Sequence, residues 1–99
     1  MMTVSDYDYR KEDNEELTEL LSNLHSTRKE FVNCSFKGIR ENNFNNCNFT
    51  CCTFDDVSTS SFSNCTFDHC KFYMRFEGKM SNCKILNHNG LLIEHTEMR

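Results

Sequence analysis

The chain of 99 residues is long enough for one small domain. It has no proline and only three glycines, a composition that excludes a linker-rich chain and argues against intrinsic disorder. Its formal net charge of −4, without a basic stripe, argues against direct binding of nucleic acid. Because no window approaches 18 apolar residues and no apolar run stands near residue 1, we expect no membrane contact, no secretory signal and a cytoplasmic protein with reduced thiols.

The negative charge lies in the N-terminal segment. Residues 1–30 contain eight acidic and four basic residues, whereas residues 31–99 contain seven of each. We therefore expect an acidic surface before and within the first predicted helix, available to a protein partner. The residues predicted to form it are Asp6, Asp8, Glu12, Asp13, Glu15, Glu16 and Glu19.

Residues 13–25 are predicted to form one amphipathic helix. Four leucines with the spacing i, i+3, i+4 and i+7 form a single apolar stripe: Leu17, Leu20, Leu21 and Leu24. Asp13 can cap the N terminus, with Glu16 three residues later. A helix this short is marginal alone in water, so we expect its leucines to dock on the rest of the chain as an N-terminal lid.

A repeat of 18 residues begins at Phe31. The bulky apolar residues recur at intervals of 5, 5 and 8, a period that belongs neither to a helix nor to a flat strand. The aligned columns are Phe31/Phe49/Phe67/Ile85, Phe36/Phe54/Phe72, Phe44/Phe62/Met80, Cys34/Cys52/Cys70, Cys47/Cys65/Cys83 and Asn46/Asn64/Asn82. Several residue types that keep one register indicate a solenoid, in which each turn stacks on its neighbours. We expect the asparagine column to form a hydrogen-bonded ladder.

The segments "FVNCSFKG", "FNNCNFTCCTF", "FSNCTFDHCKF" and "MSNCKI" resemble the pentapeptide-repeat proteins over about residues 31–85. The resemblance implies a right-handed, four-sided parallel β-helix. It also implies that the phenylalanine at the centre of each five-residue unit, and the cysteine two positions before it, point inward. The expected fold is therefore mainly β, with a short β-helix of about 3–4 coils and a helical cap, divided into residues 1–30 and residues 31–99.

The chain departs from the family pattern at each gap of eight residues. A regular four-sided coil needs 20 residues, so we expect one side to be cut short, with Ile39 and Val57 at its centre. In the third gap Arg75 takes that position beside Phe76, which predicts a distorted side or a small loop near residues 73–78. The tail is predicted to form a final irregular strand that covers the last coil or pairs with a second copy. The residues concerned are Leu91, Leu92 and Ile93.

The cysteines could in principle bind zinc, since Cys47 and Cys51 are spaced by three residues and His69 lies one coil above Cys51. Inward packing explains the six cysteines that keep the register, because a buried free thiol behaves as a small apolar group. We expect no metal, no cofactor and no catalytic residues. Cys51 should face outward, either as an incidental surface cysteine or as a reactive thiol.

Three functional hypotheses remain. The first is a non-enzymatic inhibitor, phage or mobile-element encoded, that docks on the nucleic-acid-binding surface of a host enzyme or defence complex, as a DNA mimic or an anti-CRISPR-like protein does. The family resemblance implies such mimicry for long acidic rods, whereas here the acids belong to the helix. The second is a scaffolding module that self-associates as a homodimer through residues 83–98. The third is redox sensing through Cys51. It is equally open that the acids merely solvate the outer face of the helix.

Overall fold

The computed structural model describes residues 2–23, 28–73 and 76–87, with the side chain of residue 23 excepted. The elements, in chain order, are β1 (Met2–Ser5), β2 (Asp8–Tyr9), a 3₁₀ turn (Lys11–Asp13), α1 (Asn14–Asn23), β3 (Lys29–Val32), β4 (Ser35–Lys37), β5 (Asn43–Asn45), β6 (Cys47–Thr50), β7 (Thr53–Asp55), β8 (Val57–Ser63), β9 (Thr66–Asp68), β10 (Lys71–Phe72), β11 (Phe76–Ser81) and β12 (Lys84–Leu86).

The strands form three parallel sheets that wind into a solenoid of about three turns. Sheet A has the order β1-β3-β6-β9-β12, sheet B the order β2-β4-β7-β10, and sheet C the order β5-β8-β11. A short fourth side joins sheets B and C, where Ile39 and Val57 are fully buried and Arg40 bridges Ser58. The prediction of a mainly β solenoid with an N-terminal helix is confirmed, and so is the shortened side.

The core consists of stacked phenylalanine rings. Phe31 pairs with Phe49 in sheet A, and their ring centroids lie 5.3 Å apart with the planes 11° from parallel. The rings of Phe44 and Phe62 in sheet C lie 4.7 Å apart. These distances approach the ~4.8 Å between neighbouring strands, so each of the three phenylalanine columns gains one ring per coil and stacks without a gap. The 18-residue period in the sequence is therefore the register of the sheets.

Left-handed backbone turns the chain at its corners. One corner column between sheets A and B consists of Asn33, Cys51, His69 and Asn87, all with φ between 48° and 57°. Another, between sheets C and A, consists of Asn46, Asn64 and Asn82. Asparagine tolerates this region better than most residues, which explains its recurrence at these positions.

The asparagine ladder is present only in part. The Asn82 amide donates a hydrogen bond to Asn64 Oδ1, as predicted. Asn64, however, donates to Asn45 Oδ1 at 3.3 Å, and not to Asn46. Arg28 donates instead to Asn46 and, at 2.7 Å, to Asn48 Oδ1, so a guanidinium ends the ladder.

The third coil is irregular, as predicted for residues 73–78. Phe76 pairs with Val57 and occupies the buried slot of the short side. Residues 74 and 75, including the Arg75 expected in that slot, lie outside the described residues. The register shifts between Glu77 and Lys79, where the single residue Gly78 replaces two residues of β8. The chain has one extra residue before Phe76, and the one-residue deletion at Gly78 restores the 18-residue register from Lys79 onward.

The N-terminal segment contains more than the predicted helix. Strand β1 pairs with β3 and β2 with β4, so residues 2–9 form two sides of an additional coil. The helix begins at Asn14, not at Asp13, and its predicted end at residue 25 lies outside the described residues. Asp13 ends the 3₁₀ turn and accepts a hydrogen bond from the Arg10 backbone N–H at 3.0 Å, so it closes that turn and does not cap α1.

Candidate functional site

Helix α1 replaces the strand that would begin sheet C. The Asn14 side-chain amide donates to the Arg40 carbonyl at 3.0 Å, and its oxygen accepts from the Arg40 backbone N–H at 2.8 Å. This pair of bonds satisfies the backbone of the short fourth side, next to sheet C, as a neighbouring strand would. Thr18 Oγ1 donates to the buried Asn42 at 2.6 Å, which fixes the second turn of the helix.

The helix orientation exposes its carboxylates. Leu17 and Leu21 are buried in the core of the solenoid, as the apolar stripe predicts. Three side chains on the opposite face, Glu15, Glu16 and Glu19, are exposed and line a shallow depression of about 370 Å³. Within the described residues, no cation pairs with Glu15 or Glu19.

The four remaining acids already have partners within the chain or lie apart. Asp6 accepts from Asn33 Nδ2 at 2.7 Å, and Asp8 accepts from Ser35 Oγ at 2.7 Å. Asp13 is engaged with Arg10, and Glu12 lines a cleft of about 510 Å³ that also contains lysines. The structure thus groups three of the seven acids on the outer face of α1. The others surround the N-terminal end of the solenoid.

Tyr7 is a residue of this surface that sequence reasoning missed. It occupies the slot that Cys34 occupies one coil later, because Ser35 N–H bonds the Tyr7 carbonyl at 3.0 Å. Its ring is too large for the interior and lies 4.5 Å from the ring of Tyr9, with 39% of Tyr7 exposed. The Asp13 carboxylate, followed by partial burial and Glu16, raises the pKa of the Tyr7 phenol. The phenol thus remains neutral amid the acids at ordinary pH.

The register cysteines pack inward, as predicted. Five of the six are buried and Cys83 is half-buried. Cys52 Sγ lies 3.2 Å from the Phe31 carbonyl oxygen and Cys70 Sγ lies 3.4 Å from that of Phe49, so each thiol contacts the backbone of the preceding coil. The neighbouring Cys47 thiol and burial raise the pKa of Cys65 to about 12, which disfavours the reactive thiolate.

Cys51 is exposed at a corner, with φ of 55°. His69 follows it in the same corner column, but His69 Nδ1 lies 2.9 Å from Asp68 Oδ1. Among the described residues, no group of three or more His, Cys, Asp or Glu side chains could hold a metal ion.

The predicted self-association residues, Leu91, Leu92 and Ile93, lie outside the described residues. No helix in the described part of the chain is long and apolar enough to cross a membrane. The sequence matches no protein-family model, and a search of curated proteins gives no significant match.

Proposed function

We propose that this chain is a pentapeptide-repeat protein that acts without catalysis, as an inhibitor that binds another protein. It is encoded by a phage or mobile element and works in the host cytoplasm. Its acidic helix docks on the nucleic-acid-binding surface of a host enzyme or defence complex, as a DNA mimic or an anti-CRISPR-like protein does. The observation that carries this proposal is the row of exposed carboxylates on α1, Glu15, Glu16 and Glu19, on a helix that is fixed to the solenoid.

The helix dipole favours Glu15 and Glu16 in the first turn of α1, but Glu19 lies beyond that turn and repels Glu15. Glu15 and Glu19 are four residues apart, and like charges at this spacing destabilise a helix by about 0.2–0.5 kcal/mol. A Glu–Lys pair would keep a capping helix equally well hydrated and would stabilise it. Two unpaired carboxylates on a fixed helix therefore support a role in binding a basic surface, where each gains a partner.

The dimensions of the molecule favour contact through the helix end rather than along the coil. The molecule extends 31 × 25 × 24 Å, so its solenoid is too short to occupy a long DNA-binding groove. The coil exterior also carries both charge signs, for example Arg40 at 3.4 Å from Asp56. The acidic face of α1 can instead contact a single phosphate-binding patch on the partner protein.

Capture from a bacterial lysate tests the proposal. The tagged protein is expected to retain a nucleic-acid-handling enzyme or complex at low salt and to release it at high salt, because exposed charge pairs are screened. The variant Glu15→Lys/Glu16→Lys/Glu19→Lys is expected to lose that protein. Elution with heparin, a polyanion, is expected to release it from the wild-type chain.

The matched control reverses three acids away from α1: Glu30→Lys/Glu41→Lys/Glu77→Lys. It changes the net charge by the same amount and is expected to keep the captured protein. If both variants lose the captured protein to the same extent, capture depends on net charge and not on the position of the acids on α1. Capture that survives the helix reversal, or a wild-type chain that retains only itself, would overturn the proposal.

A further inference from the structure

A buried lysine and two buried cysteines lie in one column on the inner side of sheet A. Lys29 pairs with Cys47 in the ladder between β3 and β6, and both side chains are buried. Cys65, also buried, follows Cys47 one coil later, because the residues that come next, Asn48 and Thr66, are paired. The proposed inhibitor function uses none of these side chains.

The Cys47 and Cys65 side chains have the same orientation. Cys47 Sγ lies 3.5 Å from the carbonyl oxygen of Asn45, and Cys65 Sγ lies 3.2 Å from that of Ser63. Asn45 and Ser63 are themselves paired in sheet C, so the same contact repeats in both coils. The two sulfur atoms therefore repeat at the ~4.8 Å spacing of neighbouring strands.

This separation suits a cation that binds two thiolates in a line. A metal–thiolate bond is about 2.3 Å long, so two such bonds in line span about 4.6 Å. Cu(I) is a cation that soft thiolate ligands select, and it accepts two ligands in a linear arrangement. Zinc needs four ligands at tetrahedral positions, whereas this pair supplies two. The site therefore differs in kind from the zinc site considered for Cys47 and Cys51.

Lys29 supplies the counter-charge that such a site needs. Two thiolates and one Cu(I) ion together carry one net negative charge, which is costly to bury unless a positive group lies close by. Lys29 is buried in the same column as Cys47 and one coil before it, where its ammonium group can offset that charge. In the second cysteine column, which begins at Cys34, the equivalent place is taken by the exposed Tyr7.

We propose that Cys47 and Cys65 bind one Cu(I) ion in a linear S–Cu–S arrangement, with Lys29 as the counter-charge. Binding replaces the two S–H bonds by two Cu–S bonds. The two protons go to the solvent, and copper and sulfur keep their oxidation states. The site lies in the core and not on the acidic face of α1, so it does not depend on the inhibitor proposal.

Refolding with Cu(I) tests the site. The whole reduced chain is unfolded in urea under nitrogen and refolded with an equimolar amount of Cu(I), because both thiols are closed to solvent in the folded chain. The chain is expected to retain copper through gel filtration. X-ray absorption at the copper edge is expected to show two neighbours, both sulfur. Competition with the chromophoric Cu(I) chelator bathocuproine disulfonate measures the affinity.

Three variants separate the parts of the site. Lys29→Met keeps both thiols and is expected to weaken Cu(I) binding about 10–100-fold, as the loss of an outer-shell partner does. Cys65→Ser removes a ligand and is expected to weaken binding further. Cys70→Ser makes the same change at a buried position of the second cysteine column and is the matched control, which should keep the wild-type affinity.

Thermal melts check that each variant is folded. If Cys65→Ser does not fold, the absorption spectrum of the wild type and the affinity of Lys29→Met decide the question. The proposal is overturned by a chain that refolds without copper, or by copper with nitrogen or oxygen neighbours. Equal affinities for Cys65→Ser and Cys70→Ser, or an unchanged affinity in Lys29→Met, would also overturn it.

Discussion

Gly78 shows how one residue accommodates the irregular coil. A Cβ at this position would lie 2.7 Å from Phe62 Cε1 and 2.8 Å from Phe76 Cζ, closer than van der Waals contact permits. Both rings are fully buried, so neither can move away without disturbing the stack. The buried side chain at this position of the coil becomes smaller from Asn42 to Ser60 to Gly78. The space that is freed at Gly78 is filled by the ring of Phe76.

Gly78→Ala is expected to destabilise the chain by about 1–3 kcal/mol, because overpacking a filled core forces ring and backbone shifts. Urea denaturation measures the change in the free energy of unfolding. Ser81→Ala, at an outward position of the same strand, is the control and should change it little. A neutral Gly78→Ala would mean that the Phe62 and Phe76 rings are not held as described.

Cys51 stands in a backbone conformation that suits asparagine better. Its φ of 55° matches that of Asn33 and Asn87 in the same corner column. Cys51→Asn is therefore expected to raise the free energy of unfolding by about 0.5–1 kcal/mol. Cys52→Asn, one residue later, should lower it by several kcal/mol because it buries an amide in the core. The two denaturation curves give the comparison, and equal effects would contradict the assignment of Cys51 to the outside.

Tyr9 couples stability to alkaline pH. Burial, followed by nearby thiol, phenol and carboxylate groups, raises its pKa to about 12 from an ordinary value of about 10. The folded chain therefore favours the neutral phenol. This contribution is fully present below about pH 10 and is lost as the pH rises toward 12. Tyr9→Phe should remove up to about 2 kcal/mol of that loss between pH 9 and pH 12, measured by denaturation across this range. Parallel curves for the two proteins would contradict it.

At the scale of the element, the Asn14 side chain holds the helix by bonding a backbone N–H and a carbonyl, as a neighbouring strand would. Asn14 makes two bonds to the backbone of Arg40 and accepts a third from Asn42 Nδ2 at 2.8 Å. Asn14→Ala leaves these groups without their partner. It is expected to destabilise the chain by about 2–3 kcal/mol, because unsatisfied polar groups near the core are penalised. Glu15→Ala, on the outer face of the helix, is the control and should cost less than about 0.5 kcal/mol in the same denaturation assay.

The repeat could be predicted because stacking imposes it on many positions at once. Each phenylalanine column must keep its register in every coil, so the period is visible in the sequence from Phe31 onward. Strands β1 and β2 were missed because they show the spacing only once, between Val4 and Tyr9. The helix then displaces the register: Val4 pairs with Phe31, 27 residues later rather than 18.

The sequence predicted that the helix covers the N-terminal end of the solenoid, and Leu17 and Leu21 are buried there. The polar contacts that fix the helix in this place could not be predicted from the sequence. In the sequence, nothing distinguishes Asn14 from other polar residues. Its role depends on a hydrogen bond to Arg40, which is 26 residues away. For the same reason the sequence predicted one acidic surface, whereas folding pairs Asp6 with Asn33 and Asp8 with Ser35. The carboxylates left unpaired on the outer face of α1 became apparent only in the structure.

At the scale of the whole molecule, the solenoid is a firmly packed support for the acidic helix. Its interior is a continuous stack of rings, so the N-terminal coil can hold α1 without induced order on binding. A pre-ordered charged surface loses little conformational entropy when it docks, which favours rapid association with a basic partner.

Competition with nucleic acid is the most direct test of the central claim. The protein captured from a lysate at low salt is bound to the immobilised chain, and duplex DNA of mixed sequence is added in increasing amounts. If α1 occupies the nucleic-acid-binding surface of that partner, the duplex should displace the partner completely. The Glu15→Lys/Glu16→Lys/Glu19→Lys variant should not bind it at all. A stable ternary complex, in which the partner holds the duplex and this chain together, would contradict the account.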